Sequence, residues 1–162
     1  MKRLLIGAWL LLAAAQAGAD VDMLSYVLRD LRTSGEIDLE DYRGRIALLM
    51  FFEPDCEYCL RETRVINTLV ADCPGLQPVG IGANGSRAAL QQHARRMRAD
   101  FPVAQINEEF QDDIGEIIGT PLLLISDHYG MLVTWLRGFQ TEATLREIID
   151  IIDPKSCRAA AD

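Results

Sequence analysis

Cys56 and Cys59 are separated by two residues in the stretch FFEPDCEYCLRE. They follow a continuous apolar run and precede a stretch with helical spacing. Two cysteines at this spacing can form a redox-active dithiol, half of a metal site, a short structural disulfide, or a pair of small core residues. The spacing alone leaves all four interpretations open.

The position of the pair predicts which sulfur would react. In the first turn of a helix, Cys56 would lie near unpaired backbone N–H groups and the positive end of the helix dipole. Both stabilise a thiolate, which is the form that attacks disulfides. Cys59 follows one turn later on the same face. We therefore expect Cys56 to be the exposed nucleophile and Cys59 the more buried resolving cysteine.

A metal site receives less support from the remaining residues. A zinc site of this type usually needs a second ligand pair, and the chain has two histidines, His93 and His128. We expect His93 on the solvated face of a helix and His128 in a surface turn. Copper(I) bound by the thiolates of Cys56 and Cys59 remains the non-catalytic alternative. No metal or other cofactor is predicted.

The first 19 residues have the parts of a secretory signal peptide. Lys2 and Arg3 precede the apolar LLIGAWLLLAAA, and Ala17 and Ala19 provide small residues before a cleavage site. The apolar run is shorter than the ~20 residues that span a bilayer, so a membrane-anchored form is less favoured. We expect an exported, periplasmic chain beginning at Asp20.

Composition limits the partners. The 162 residues, 49% of them hydrophobic, suit one globular domain. The formal net charge is −8, and removal of two basic residues with the signal peptide makes it −10. This sign disfavours nucleic acid and anionic membrane surfaces as ligands. The basic stretch HARRMR is interpreted as a solvated helix face, and we expect a monomer.

The hydrophobic pattern predicts one α/β domain with a mixed sheet. Continuous apolar runs predict buried strands, and amphipathic spacing predicts helices that begin at Ser86 and Thr141. The predicted order is a helix at 22–35, then strand 46–52, helix 56–72, strand 76–84, helix 86–100, a short strand at 101–106, a short helix or turn at 107–119, two strands within 120–138 and a helix at 141–152.

This order, and the segments LEDYRGRIALLMFFEPDCEYC, GTPLLLISDHYGMLV and LRGFQTEATLREIIDII, resemble the exported TlpA/ResA/DsbE-like thiol–disulfide oxidoreductases. The resemblance runs from about Leu39 to Ile152. It implies a thioredoxin fold, with a mixed central sheet and helices on both faces, over residues 39–162. Residues 20–38 would then form an N-terminal helical extension.

The resemblance also implies roles for particular residues. Pro121 matches the family's cis-proline, so Thr120 and Pro121 would bind the substrate backbone, with Tyr58 beside them. Glu62 matches an acidic residue three places after the second cysteine. It would be a catalytic acid/base or only a surface acid, two interpretations left open.

The other two cysteines are assigned through the same resemblance. In a thioredoxin fold the active-site helix and the C-terminal helix lie on one face and end at the pole opposite the active site. Cys73 and Cys157 follow the ends of these helices, so a structural Cys73–Cys157 disulfide is expected. A second redox relay and an intermolecular disulfide are the alternatives.

The acidic flanks of the pair favour a reductase. The acids around the pair, Glu53, Asp55, Glu57 and Glu62, would raise the pKa of the Cys56 thiol, unless Arg61 or Arg64 compensates. A poorly stabilised thiolate makes a pair more reducing. We expect reduction of disulfides in exported proteins, with re-reduction by a membrane thiol–disulfide donor. The alternatives are a disulfide isomerase or oxidase and a copper(I)-binding thiol module.

Overall fold

The computed structural model describes residues 22–157, which form a seven-stranded mixed sheet and four α-helices. The strands are Val27–Asp30 (β1), Glu36–Asp38 (β2), Ile46–Phe52 (β3), Leu76–Gly82 (β4), Val103–Gln105 (β5), Leu122–Ser126 (β6) and Leu132–Arg137 (β7). The helices are Glu57–Asp72 (α1), Arg87–Met97 (α2), Glu108–Ile114 (α3) and Glu142–Ile152 (α4). The strand order is β2-β1-β5-β4-β3-β6-β7.

The parallel strands β3, β4 and β5 lie in the interior of the sheet, and β3 is fully buried. β3 pairs in parallel with β4 and antiparallel with β6, and all seven of its residues are buried. β4 pairs in parallel with β5, so the chain steps twice in one direction across the sheet. Right-handed crossovers then place α1 and α2 on the same face. α4 shares that core, whereas Phe110 of α3 packs on the opposite face, which confirms helices on both faces.

The N-terminal segment forms a β-hairpin, so the predicted helical extension is wrong. β1 pairs antiparallel with β2 on one side and with β5 on the other. Leu24, Tyr26 and Leu28 are buried whereas Ser25 and Val27 are exposed, which is the two-residue period of a strand. The apolar residues of this segment fit both the period of a helix and that of a strand. The segment forms a strand because it pairs with the edge of β5, which would otherwise be open.

The predicted signal peptide, residues 1–19, lies outside the described residues. Between residues 22 and 157, no helix has the length and apolar character needed to cross a membrane.

A disulfide bond joins Cys73 to Cys157 in the structure. Cys73 caps the C-terminus of α1 and is fully buried, and Cys157 follows α4. Beside the bond, the N–H of Gly75 donates to the carbonyl of Ser156 at 2.9 Å. A Cβ at Gly75 would lie 2.6 Å from the Cα of Ser156, so the two segments are in backbone contact. The C-terminal segment is therefore held to the end of α1.

Replacing both residues, as Cys73→Ala/Cys157→Ala, should lower the free energy of unfolding by about 4–5 kcal/mol. The reason is that the bond closes a loop with a sequence separation of 84, and chain entropy lost from the unfolded state grows with loop length. Chemical denaturation of the oxidised proteins measures the difference. Cys56→Ala/Cys59→Ala, which opens a short loop, is the control and should lose less. Equal losses would contradict the structural role.

Candidate active site

Cys56 and Cys59 are joined by a disulfide bond with an S–S distance of 2.04 Å. β3 ends at Phe52, and Cys56 is the N-cap residue of α1. The Cys56 sulfur accepts a hydrogen bond from the N–H of Cys59 at 3.1 Å. Cys56 is partly exposed, whereas Cys59 is fully buried. The Cys56 sulfur is therefore accessible to a partner, and it already accepts a hydrogen bond from a backbone N–H at the N-terminus of α1.

The Thr120–Pro121 peptide bond is cis, at the position that the resemblance assigns to a cis-proline. Pro121 is buried directly before β6, which pairs with β3. The Thr120 hydroxyl donates to Oε2 of Glu53 at 3.3 Å. Glu53 lies between β3 and Cys56, so this contact brings the cis-proline turn to the cysteine loop.

Glu53 and Asn84 form a network that sequence reasoning missed. Asn84 donates from Nδ2 to Oε1 of Glu53 at 2.5 Å and to the carbonyl of Ile117 at 3.1 Å. Together with Thr120, these residues link the loops that follow β3 and β4 to the loop that precedes β6. The sequence signal was weak, because Glu53 counted only as an acidic flank. Asn84 has a φ of 49°, a left-handed conformation that asparagine adopts more readily than most residues.

The acidic flank of the cysteines is paired with Arg96 of α2. Its guanidinium lies 3.4 Å from Asp55 and 2.8 Å from Glu57. The two acidic side chains are 92% and 72% exposed, so water screens them strongly. Sequence reasoning considered Arg61 and Arg64 as the compensating cations, whereas the structure places the contact on the neighbouring helix.

Tyr58 lies on the surface between the two cysteines and is 57% exposed. The guanidinium of Arg61 lies 5.4 Å from the centroid of the Tyr58 ring and 4.6 Å from that of Phe139. These cation–π contacts order an exposed aromatic surface next to Cys56.

Glu62 is completely buried one turn after Cys59, so its interpretation as a surface acid is wrong. Its Oε2 accepts a hydrogen bond from the N–H of Gln140 at 2.7 Å, and Oε1 is buried without a partner in the described chain. Burial raises the pKa of Glu62 to about 7, against the opposing effect of the Gln140 hydrogen bond. A carboxyl group with this pKa can accept and return a proton near neutral pH.

His93 of α2 is buried, which corrects its predicted place on a solvated face. Its ring stacks on Phe52 with 5.5 Å between centroids, and neither ring nitrogen has a partner in the described chain. Burial lowers its pKa, and the charge of Arg96 acts in the same direction. The spacing of Leu90, His93 and Met97 places them all on the core side of α2. His128 is exposed in its turn.

The residues of this site that could bind a soft metal ion, once reduced, are Cys56 and Cys59. Among residues 22–157, no group of three or more His, Cys, Asp and Glu side chains is gathered as a metal site.

The chain is similar to named thiol–disulfide oxidoreductases. It is 27% identical over 138 residues to ResA from Bacillus thuringiensis, covering 80% of this chain and 76% of that protein. ResA from Bacillus subtilis is 24% identical over 136 residues, covering 82% of this chain and 75% of that protein. No family model matches the chain.

Solved structures share the fold. A secreted Mycobacterium tuberculosis disulfide oxidoreductase homologous to E. coli DsbE superposes with a TM-score of 0.66 at 17% identity, covering 80% of this chain and 97% of that one. A thioredoxin-family thiol:disulfide interchange protein from Chlorobium tepidum gives 0.67 at 17% identity, covering 82% and 96%. These matches confirm the thioredoxin fold.

Fold, disulfide-bonded C-x-x-C pair and relatives together define a thiol–disulfide oxidoreductase. Within that class, the protein has the thioredoxin fold and its sequence is similar to that of the ResA proteins, in line with the TlpA/ResA/DsbE-like resemblance.

Glu62→Gln should stabilise the oxidised protein above pH 7 by about 3 kcal/mol, with little effect near pH 4.5. The raised pKa of Glu62 means that the folded state holds a proton that the unfolded state releases at lower pH. The stability contributed by protonated Glu62 is therefore full below about pH 4.5 and is lost as the pH rises to about 7. Denaturant unfolding at both pH values measures this, with the exposed Glu147→Gln as control. An equal effect of Glu62→Gln at both pH values would contradict the assignment.

Proposed function

We propose that the protein is an exported reductase that breaks disulfides in other exported proteins. The observation that carries the proposal is the asymmetry of the Cys56–Cys59 pair. One sulfur is partly exposed at the N-terminus of α1, and the other is fully buried. Disulfide exchange with a protein substrate uses this arrangement, because the accessible sulfur forms the mixed disulfide and the buried one resolves it.

The reaction follows from the two positions. The Cys56 thiolate attacks one sulfur of a substrate disulfide, forms a mixed disulfide and releases the other substrate sulfur as a thiolate. Cys59 then loses its proton and attacks the Cys56 sulfur, which releases the second substrate thiolate. Two electrons pass to the substrate, and the protein ends with the Cys56–Cys59 bond. The N–H of Cys59, which already contacts the Cys56 sulfur, stabilises the attacking thiolate.

Glu62 acts as the proton acceptor for Cys59. It follows Cys59 by three residues in α1, so the two side chains lie on the same helix face. A pKa of about 7 keeps a large fraction of the carboxyl group deprotonated at neutral pH. Its Oε1 has no other partner in the described chain and is free to receive the proton.

Substrate binds beside the cysteines through Thr120, Pro121 and Tyr58. Pro121 has no N–H, so an extended substrate segment can pair with the backbone of Thr120 as an added strand. The exposed ring of Tyr58 supplies apolar contact area on the other side of Cys56.

The direction of electron flow follows from the charges around Cys56. Asp55 and Glu57 disfavour the thiolate and so disfavour the reduced pair, which makes it a better electron donor. Arg96 offsets part of this effect, and because Asp55 and Glu57 are themselves exposed, water weakens both their effect on the thiolate and their contacts with Arg96.

The proposed setting is the periplasm. Residues 1–19 act as a cleaved signal peptide, residues 20–38 extend the fold, and residues 39–162 form the thioredoxin-like domain of a monomer. The secreted disulfide oxidoreductase among the structural neighbours supports export. A membrane thiol–disulfide protein supplies the electrons, because the periplasm is not held reducing by a soluble buffer.

Cys59→Ser should accumulate mixed disulfides with exported proteins, because Cys56 still attacks and nothing releases the product. Non-reducing electrophoresis of the purified variant measures the adducts, and mass spectrometry maps the linked cysteine. Cys56→Ser is the matched control and should trap little, since Cys59 is buried. Equal trapping by both variants would contradict the assigned order of attack.

The direction is tested with the wild-type protein in two assays. The reduced form should cleave the disulfides of insulin, and the oxidised form should introduce disulfides into a reduced, unfolded protein only slowly. Faster oxidation than reduction would assign an oxidase in place of a reductase.

A further inference from the structure

A cleft of about 790 Å³ lies between α1 and α2 beside the cysteine pair. We name it the arginine cleft. It is lined by Leu60, Arg64, Asn67, Gln92, Arg95, Arg96, Met97 and Arg98. Four of these eight residues are arginines, and none is acidic.

The arginine cleft begins at the active site. Leu60 directly follows the resolving Cys59, and Arg96 contacts Asp55 and Glu57 on either side of Cys56. When a cysteine of another polypeptide reacts with Cys56, the residues that flank that cysteine can therefore reach the cleft.

The floor of the cleft is held in a fixed shape by Asn67. Its Nδ2 donates to the carbonyl of Arg98 at 3.0 Å, and its Oδ1 accepts from the N–H of Asp100 at 2.9 Å. These bonds tie the middle of α1 to the C-terminal end of α2. The binding surface is thus formed before a partner arrives, which lowers the entropic cost of binding.

Three arginines of the cleft have charges that the described chain leaves unpaired. Arg64, Arg95 and Arg98 are exposed and appear in none of the ion pairs of residues 22–157. Arg95 and Arg98 complement the dipole at the C-terminus of α2, which is an ordinary structural role. That role does not account for Arg64, which faces them from the middle of α1.

We propose that the arginine cleft binds an acidic segment flanking the reactive cysteine of the protein that exchanges disulfides with Cys56. This inference rests on the proposed reductase function and adds a substrate preference to it. The charge is complementary, the shape is an open cleft between two helices, and the position is next to the reacting sulfur. Leu60 and Met97 give the segment an apolar floor between the guanidinium groups.

The occupant is a short segment and not a polyanion. The whole chain carries a net charge of −8 and repels an extended anion such as nucleic acid. A short acidic segment meets mainly the local field of the cleft, because the screening length is only about 10 Å at 0.1 M salt.

The test uses synthetic peptide disulfides with a self-quenched fluorophore on each half, so that reduction releases fluorescence. Three peptides differ only in the residues flanking the cysteine, which are aspartates, asparagines or lysines. In the overall reaction, the protein dithiol and one peptide disulfide are converted into the protein disulfide and two peptide thiols. The rate constant is measured by mixing the reduced protein with each peptide at low and high salt.

The wild-type protein should reduce the aspartate peptide roughly fivefold faster than the asparagine peptide at low salt, and high salt should remove the difference. The result is diagnostic because the net negative charge of the protein alone would give the opposite order. The variant R64Q/R95Q/R98Q should lose the preference while reducing the asparagine peptide at the wild-type rate. Arg96 is kept, since it contacts the acids beside Cys56.

The matched control is R29Q/R45Q/K155Q, which removes the same charge from exposed residues outside the cleft and should keep the preference. Equal rates for the three peptides with the wild-type protein would overturn the cleft proposal and leave the reductase intact. No reduction of any peptide would overturn the reductase function itself. Cosedimentation with phosphatidylglycerol vesicles that depends on the three arginines, without a peptide preference, would assign the cleft to lipid and also overturn the proposal.

Discussion

The strand β3 is buried along its whole length, and it fixes where the disulfide can lie. Its neighbours β4 and β6 hold it in the middle of the sheet, and α1 begins only five residues after it ends. Cys56 therefore caps the helix at the edge of the core, with its sulfur on the N–H of Cys59. The partly exposed nucleophile, the buried resolving cysteine and the adjacent cis-proline turn all depend on this strand-to-helix junction.

Much of this arrangement is predictable from the sequence because its signals are local. The apolar run Ile46–Phe52, the C-x-x-C spacing and the N-caps at Ser86 and Thr141 each specify an element within a few residues. The strand β3, the helix α1 and the distant Thr120–Pro121 step then suffice for the fold and the general chemistry.

The features that prediction missed depend on contacts between elements. Arg96 pairs with Asp55 and Glu57 because α2 packs beside the start of α1, and the buried Glu62 accepts a hydrogen bond from Gln140, which is 78 residues further along the chain. The N-terminal segment fits a helix and a strand equally well by its apolar spacing, and the open edge of β5 decides between them. Long-range packing therefore determines which charged groups lie near the cysteines and which pKa values are shifted. The local sequence determines the class of reaction.

The central claim is that Cys56 and Cys59 form a reducing, reversible dithiol, and the equilibrium potential of the pair tests it most directly. The protein would be equilibrated in dithiothreitol or glutathione redox buffers and the Cys56–Cys59 state quantified by alkylation and mass spectrometry. A single two-electron transition at or below about −270 mV, the potential of thioredoxin, is the predicted result. A potential near about −120 mV, typical of a strong oxidant, or the absence of a reversible transition would contradict it.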